Sequence, residues 1–243
     1  SAAGYATPPA DDPALVSFLR ADRKVPLDGV IGEQASRLGS PEQPPLVLAR
    51  RAYDHLLETL AYDGRGCTPD RADELGDLPK ACSLHLGTCT DFHGLFVGYL
   101  RALGVPARFT FGFNIPRGRA AGRIGGYHCW TWFRDESGRW LPLDASDGRR
   151  WKDSGDAATS SRMFGNLIVE RSAVAMSRGR DLVLEPAQKG GPLNYFVYPY
   201  AEADGNPVGT TWELTYKVLS PGAEEVHSSV VLEHLDFDRD PKH

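Results

Sequence analysis

Three side chains could together attack a carbonyl. They are Cys89 in Gly87-Thr88-Cys89-Thr90-Asp91-Phe92-His93, His128 in Tyr127-His128-Cys129-Trp130, and Asp144 in Leu143-Asp144-Ala145. Thr88 followed three residues later by Asp91 is a variant of the capping box, so Cys89 is expected to be the first residue of a helix. There the leading N–H groups lack intrahelical partners and the aligned peptide dipoles leave partial positive charge. A thiolate is favoured in that setting, which lowers a cysteine from its ordinary pKa of about 8.5. The same N–H groups can receive the oxyanion formed when sulfur adds to a carbonyl.

A nucleophilic thiol also needs a base, and the base needs something to orient it. Of the seven histidines, His128 lies inside a β-like run, and the run that follows contains Asp144. If the connection closes as a three-residue loop, 135–137, Arg134 lies opposite Gly138 and His128 opposite Asp144. Their Cβ atoms would then be about 4.5–5.5 Å apart. A one-residue slip would put the two on opposite faces of the sheet.

Other roles are open to these residues. Cys89 could be a buried core thiol. Cys82, His85, Cys89 and His93 are spaced C-x2-H-x3-C-x3-H, a set that zinc would accept on a continuous helix; the glycine and cap at 87–88 break that helix, and His93 reads as an ordinary helix residue. Trp130 and Trp132 share the face of His128, where Trp130 could wall a site or pack in the core, and Cys129 faces the other way as a small core residue. Arg117, Arg119 and Arg123, in the loop before His128, could meet an anionic substrate or form a solvated basic loop.

The elements that must position these groups are marked by periodicity. Residues Pro13 to Arg20 and Pro45 to Leu60 carry apolar residues at helical spacing, the second with Leu46, Ala49, Tyr53, Leu56, Leu57 and Leu60 on one stripe. Tyr62 to Pro79 is rich in Gly, Asp and Pro and reads as irregular. From Phe92 the positions Leu95, Phe96, Tyr99, Leu100 and Leu103 predict a helix buried along one side, ended by Gly104 and Pro106. Residues 107–114, 127–134 and 139–146 read as three strands. Further strand-like runs at 182–186, 193–203 and 210–219 follow, the last two flanking Asp-Gly-Asn-Pro-Val-Gly as a hairpin added to the same sheet.

Composition narrows the partners. The 243 residues are 41% apolar and 24% charged, as in ordinary globular proteins, and carry a net charge of −5 with no long basic block. Nucleic acid is therefore not an expected partner, and no apolar run is long enough to span a bilayer. The opening segment, with its small residues and prolines, resembles the tail left after signal-peptide cleavage; an extracytoplasmic or cytoplasmic setting both remain open. Four cysteines allow at most one bridge if one is a free nucleophile, and Cys67 with Cys82 is the pair to consider. No phosphate-binding glycine loop or other cofactor motif is present.

The segment GTCTDFHGLFVGYLRALGVPARFTFGF, the later GYHCWTWF and then GRWLPLDASD resemble the three motifs of the transglutaminase-like superfamily in its bacterial branch. The resemblance runs from about residue 46 to 148. It implies an α+β, papain-like transglutaminase core, with N-terminal helices and the catalytic cysteine at a helix N-terminus packed on an antiparallel β-sheet. Residues 13–243 would form one domain after an N-terminal arm, 1–12, with a strand extension at about 180–220. Cys89 would be the nucleophile, His128 the general base and acid, and Asp144 the orienting carboxylate. Acyl transfer or hydrolysis at an amide of a protein or peptide would proceed through a thioester without metal or cofactor. Tyr62, ahead of the cysteine, is the candidate side-chain oxyanion donor, with packing as its alternative role. Cys129 and Ala145 stand where the family usually has a small residue such as Ala and commonly Pro. A degenerate module used for binding or scaffolding is the other reading.

Overall fold

The computed structural model describes residues 15–64, 78–116, 118–167, 172–218 and 230–231. In place of a helix over 13–20 there is one 3-10 turn, Val16–Phe18. A helix not expected from the sequence follows, α1 (Gly29–Leu38), whose two glycines weaken its periodic signal. Helix α2 (Pro45–Thr59) begins at Pro45, where a proline needs no N–H partner. Its buried stripe contains Leu48 and Ala52 and leaves out Leu46, which is exposed.

Short strands β1 (Ala61–Tyr62) and β2 (Leu86–Gly87) pair in parallel, with helix α3 (Leu78–Leu84) between them in sequence. Cys82 on α3 carries a free thiol; Cys67, its expected partner, lies outside the described residues. Then comes α4 (Cys89–Ala102), the helix expected from the Thr88 cap. It is buried on every side rather than along one, because α1, α2 and the helix that begins at Ala145 surround it while the sheet covers the rest. A helix apolar nearly all round belongs in a core.

The three strands expected after it form as β3 (Ala107–Ile115), β5 (His128–Arg134) and β6 (Trp140–Leu143), with a short β4 (Ala121–Arg123) in the loop before β5. The fourth strand of the main sheet is β7 (Ser172–Arg178), giving the antiparallel order β6-β5-β3-β7. The tail does not extend this sheet as a 193–203/210–219 hairpin. Instead β8 (Ala201–Ala203) and β9 (Asn206–Val208) close on themselves around Asp204 and Gly205, both at positive φ. Asp-Gly suits a two-residue turn of that kind, and this shorter closure wins. Strand β10 (Thr215–Lys217) pairs with β4 and β11 (Val230–Val231), and 182 meets 193 only as an isolated bridge. No helix among the described residues is long and apolar enough to cross a membrane.

Strand β6 ends at Leu143, and two helices follow, α5 (Ala145–Asp153) and α6 (Ala157–Arg162). Helix α5 presses onto α2 at Gly148, where a Cβ would lie 2.0 Å from the Tyr53 hydroxyl. That hydroxyl donates to the Ser160 carbonyl at 2.6 Å, so Tyr53 ties α2 to both helices after the sheet. Burial first, then the Asp144 charge, push the Tyr53 hydroxyl above its ordinary range, which keeps it a donor. Gly148→Ala should therefore destabilise the protein by about 1–3 kcal/mol through overpacking, although alanine alone would favour the helix by about 1 kcal/mol. Urea denaturation decides the sign, and a stabilised variant would show that the contact at Tyr53 yields freely.

Candidate functional site

The Thr88 cap forms in full. Asp91 folds back so that its carboxylate accepts the Thr88 N–H at 2.7 Å and the Thr88 hydroxyl at 2.9 Å. A glycine must precede the cap, since a Cβ on Gly87 would come within 2.7 Å of the Asp91 Cβ. Cys89 is thus the first residue of α4, and its side chain is buried, with 1% exposure. Tyr62 sits beside this entry, paired with Gly87 across the β1–β2 ladder and with its ring 6.4 Å from that of Phe92. Its ring also lies under the Arg150 guanidinium, 5.3 Å away, so packing accounts for part of its role.

His128 opens β5 and Asp144 follows the end of β6. Their contact forms by a different register from the one expected. The connection spans 135–139, Arg134 lies opposite Trp140, and Thr131 lies opposite Leu143. The Asp135 carboxylate causes this longer loop by accepting the backbone N–H groups of Ser137 and Arg139, at 2.9 and 2.8 Å. A shift of two residues keeps every side chain on its face, so His128 and Asp144 become diagonal neighbours rather than direct partners. His128 Nε2 meets Asp144 Oδ2 at 2.5 Å, with Asp144 wholly buried and 11% of the His128 side chain exposed.

Asp144 is also the N-cap of α5. Its Oδ1 accepts the Asp147 N–H and the Ser146 hydroxyl, each at 2.8 Å. The strand expected to run on to 146 therefore stops at Leu143, and a helix begins at Ala145. The signal was present: Asp144 with Asp147 three residues later repeats the spacing of Thr88 and Asp91.

A second histidine, expected to be an ordinary residue of α4, lies beside the same carboxylate. His93, fully buried, lies 3.3 Å from Asp144 Oδ1 through Nε2. It sits four residues after Cys89 on the same helical face, which is the spacing that could have marked it. The Ala145 N–H donates to that Nε2 at 3.1 Å, which assigns the ring proton to Nδ1, 3.3 Å from the Cys129 sulfur. Cys129 therefore packs against α4 as a small core group, 3.9 Å from the Thr90 hydroxyl.

Trp130 stacks beside His128 with ring centroids 6.5 Å apart and lines a cleft of about 360 Å³ with Trp132, Pro142 and Leu167. Arg119 and Arg123 are exposed, and Arg123 pairs with Glu213 at 2.7 Å; Arg117 lies outside the described residues. Cys82, His85, Cys89 and His93 do not gather as metal ligands. The chain turns at His85, which has positive φ, and runs through β2, so Cys82 lies on α3, His85 in the turn after it, and Cys89 and His93 on α4. Among the described residues, one group has ligand atoms within 4.8 Å of one another, namely His128, Asp144 and Asp147. Its members already bond to one another or to Arg150, so a cation there would compete with the His128–Asp144 contact.

The sequence model of the transglutaminase-like superfamily matches residues 33–145, a span that contains Cys89, His128 and Asp144. An uncharacterised protein of Haemophilus influenzae is 28% identical, covering 84% of this chain; the chain spans 62% of that relative's length. Among solved structures, a candidate cysteine protease from Cytophaga hutchinsonii is 19% identical, with a TM-score of 0.47 over 72% of this chain and 57% of that one. The periplasmic domain of TgpA from Pseudomonas aeruginosa, bound to ethylmercury, is 20% identical, with a TM-score of 0.36 over 53% and 47%. The segment 33–145, with its central helix packed on an antiparallel sheet, is thus the part of the chain that is similar to the transglutaminase-like superfamily.

Proposed function

We propose that the chain is a cysteine-dependent enzyme that cleaves or transfers at an amide carbonyl, with Cys89 as nucleophile. The observation that carries this reading is the buried His128–Asp144 contact of 2.5 Å, formed beside a helix whose first residue is a cysteine. With Nε2 donating to Asp144, Nδ1 of His128 is left to take the thiol proton. The sulfur then adds to the carbonyl carbon, and the oxyanion is received by N–H groups at the start of α4. As the intermediate collapses, the C–N bond breaks and His128 returns its proton to the departing amine. A thioester on Cys89 remains, and water or a second amine resolves it with the same histidine as base.

Protein or peptide is the substrate class this mechanism suits, with the cleft along Trp130 and Trp132 receiving an apolar or long side chain. His93 acts as a positioning residue. By accepting the Ala145 N–H it fixes the strand-to-helix turn that aims Asp144 at His128.

Iodoacetamide labelling read on the Cys89 peptide tests the nucleophile. Alkylation is expected to persist well below the free-thiol pKa of about 8.5, and His128→Ala should move its midpoint back towards that value. Burial raises the Cys82 thiol, which disfavours its thiolate relative to that of a free cysteine. A Cys89 that titrates like free cysteine, unaffected by His128→Ala, would sink the enzyme reading in favour of a binding module. With a protein or peptide pool as substrate, an acyl adduct should appear on Cys89 and be absent in Cys89→Ala, while His128→Ala slows its formation by about 10²–10⁴-fold.

His93→Leu keeps the ring's volume and orphans the buried Ala145 N–H, a loss of about 1–3 kcal/mol in urea denaturation. It should lower kcat more than it raises KM. Unchanged kcat at reduced stability would leave His93 a packing residue only.

A further inference from the structure

We propose that Thr90 is a positioning residue, whose hydroxyl ties the start of α4, and with it Cys89, to the two residues that flank His128. The inference rests on the reading of Cys89 and His128 as nucleophile and base, and concerns what holds their two elements in register.

Thr90 follows Cys89 in the first turn of α4 and is wholly buried. Its Oγ1 lies 2.6 Å from the Tyr127 hydroxyl and 3.9 Å from the Cys129 sulfur, whose S–H donates to it. Alternation along a strand puts positions 127 and 129 on one face. Both side chains meet the same hydroxyl of α4, so a single group grips the chain on either side of His128.

That grip differs in kind from the packing around it. Further along the same pair of elements the Phe96 and Phe133 rings lie 6.2 Å apart, a contact that tolerates small rotations of the helix. A hydrogen bond has a set length and direction. Successive residues stand about 100° apart round a helix axis, so holding the Thr90 hydroxyl at β5 also sets the direction in which Cys89 points.

The bonds continue beyond Thr90. The Cys129 sulfur accepts from His93 Nδ1 at 3.3 Å, and His93 Nε2 accepts the Ala145 N–H at 3.1 Å. One buried chain, Tyr127–Thr90–Cys129–His93–Ala145, thus touches the residue after Cys89, both neighbours of His128 and the residue after Asp144. Bonds linked in this way in a surrounding of low polarity strengthen one another. Tyr127 is held from its other side as well, since its backbone N–H donates to the Tyr198 hydroxyl at 3.0 Å.

The test compares Thr90→Val, which keeps the shape and removes the hydroxyl, with Thr90→Ser, which keeps the hydroxyl. Tyr127→Phe and the double variant Thr90→Val/Tyr127→Phe complete the set. The readout is the pH dependence of iodoacetamide alkylation on the Cys89 peptide of the intact chain, beside urea denaturation. A nearby imidazolium favours the thiolate, so a looser start of α4 should raise the alkylation midpoint. Thr90→Val and Tyr127→Phe should each raise it by about one pH unit, roughly a tenfold loss of thiolate below the midpoint. The double variant should raise it no further than the larger single shift, because one bond is being removed. Thr90→Ser should leave it in place. Should Thr90→Val fail to fold, Tyr127→Phe decides by the same shift. Lower stability with an unmoved midpoint, additive shifts in the double variant, or a shift in Thr90→Ser as large as in Thr90→Val would overturn the positioning role. The enzyme reading survives those results as long as His128→Ala still moves the midpoint; where His128→Ala moves nothing, both readings fall together.

Discussion

The Asp144 carboxylate is wholly buried, and a buried carboxylate without partners would be strongly unfavourable. Its partners come from separate elements. Strand β5 sends His128, and the first turn of α5 supplies the Asp147 N–H and the Ser146 hydroxyl, while His93 of α4 fixes the turn by accepting the Ala145 N–H. Each of these requires the chain to leave the sheet at Leu143 and enter a helix at Ala145. The Asp144 N–H donates to the Met163 carbonyl at 3.0 Å, so the segment after α6 closes the same junction. Gly148 and Tyr53 then hold α5 against α2, which packs on α4. The position of one carboxylate thus ties together helices and strands from across the segment 45–164.

How much of this could be read from residues depends on how local its cause is. Helix α4 and its start were legible, because the Thr88–Asp91 cap and the apolar spacing from Phe92 act within a few residues. The three strands were legible for the same reason. The register of the β5–β6 hairpin was not, since it turns on Asp135 accepting bonds from two backbone groups of the loop. Facing survived the error because side-chain parity repeats every two residues, and the loop lengthened by an even number. Strand β7 was hidden by its alanines and serines, which show no alternation of apolar and polar residues, and it earns its place as a partner of β3. His93 was hidden by its own surroundings: a histidine in an apolar helix reads as packing until Ala145 and Asp144 are seen beside it.

Two ends of one helix then acquire opposite chemistry. At the N-terminus of α4 the peptide dipoles favour negative charge, and the residue placed there is Cys89. In its last turn, where they favour positive charge, stands Arg101, buried and bonded to the carboxylate of Asp22 and the carbonyls of Arg20 and Ala107. Asp91 in the first turn and Arg101 in the last complement the dipole at both ends inside the core, where low polarity makes each interaction stronger than at a surface. Arg101 also anchors the segment from Arg20 to Asp22. Helix packing that places a thiol at one end of α4 therefore places a paired, buried arginine at the other. The two ends share one element, α4.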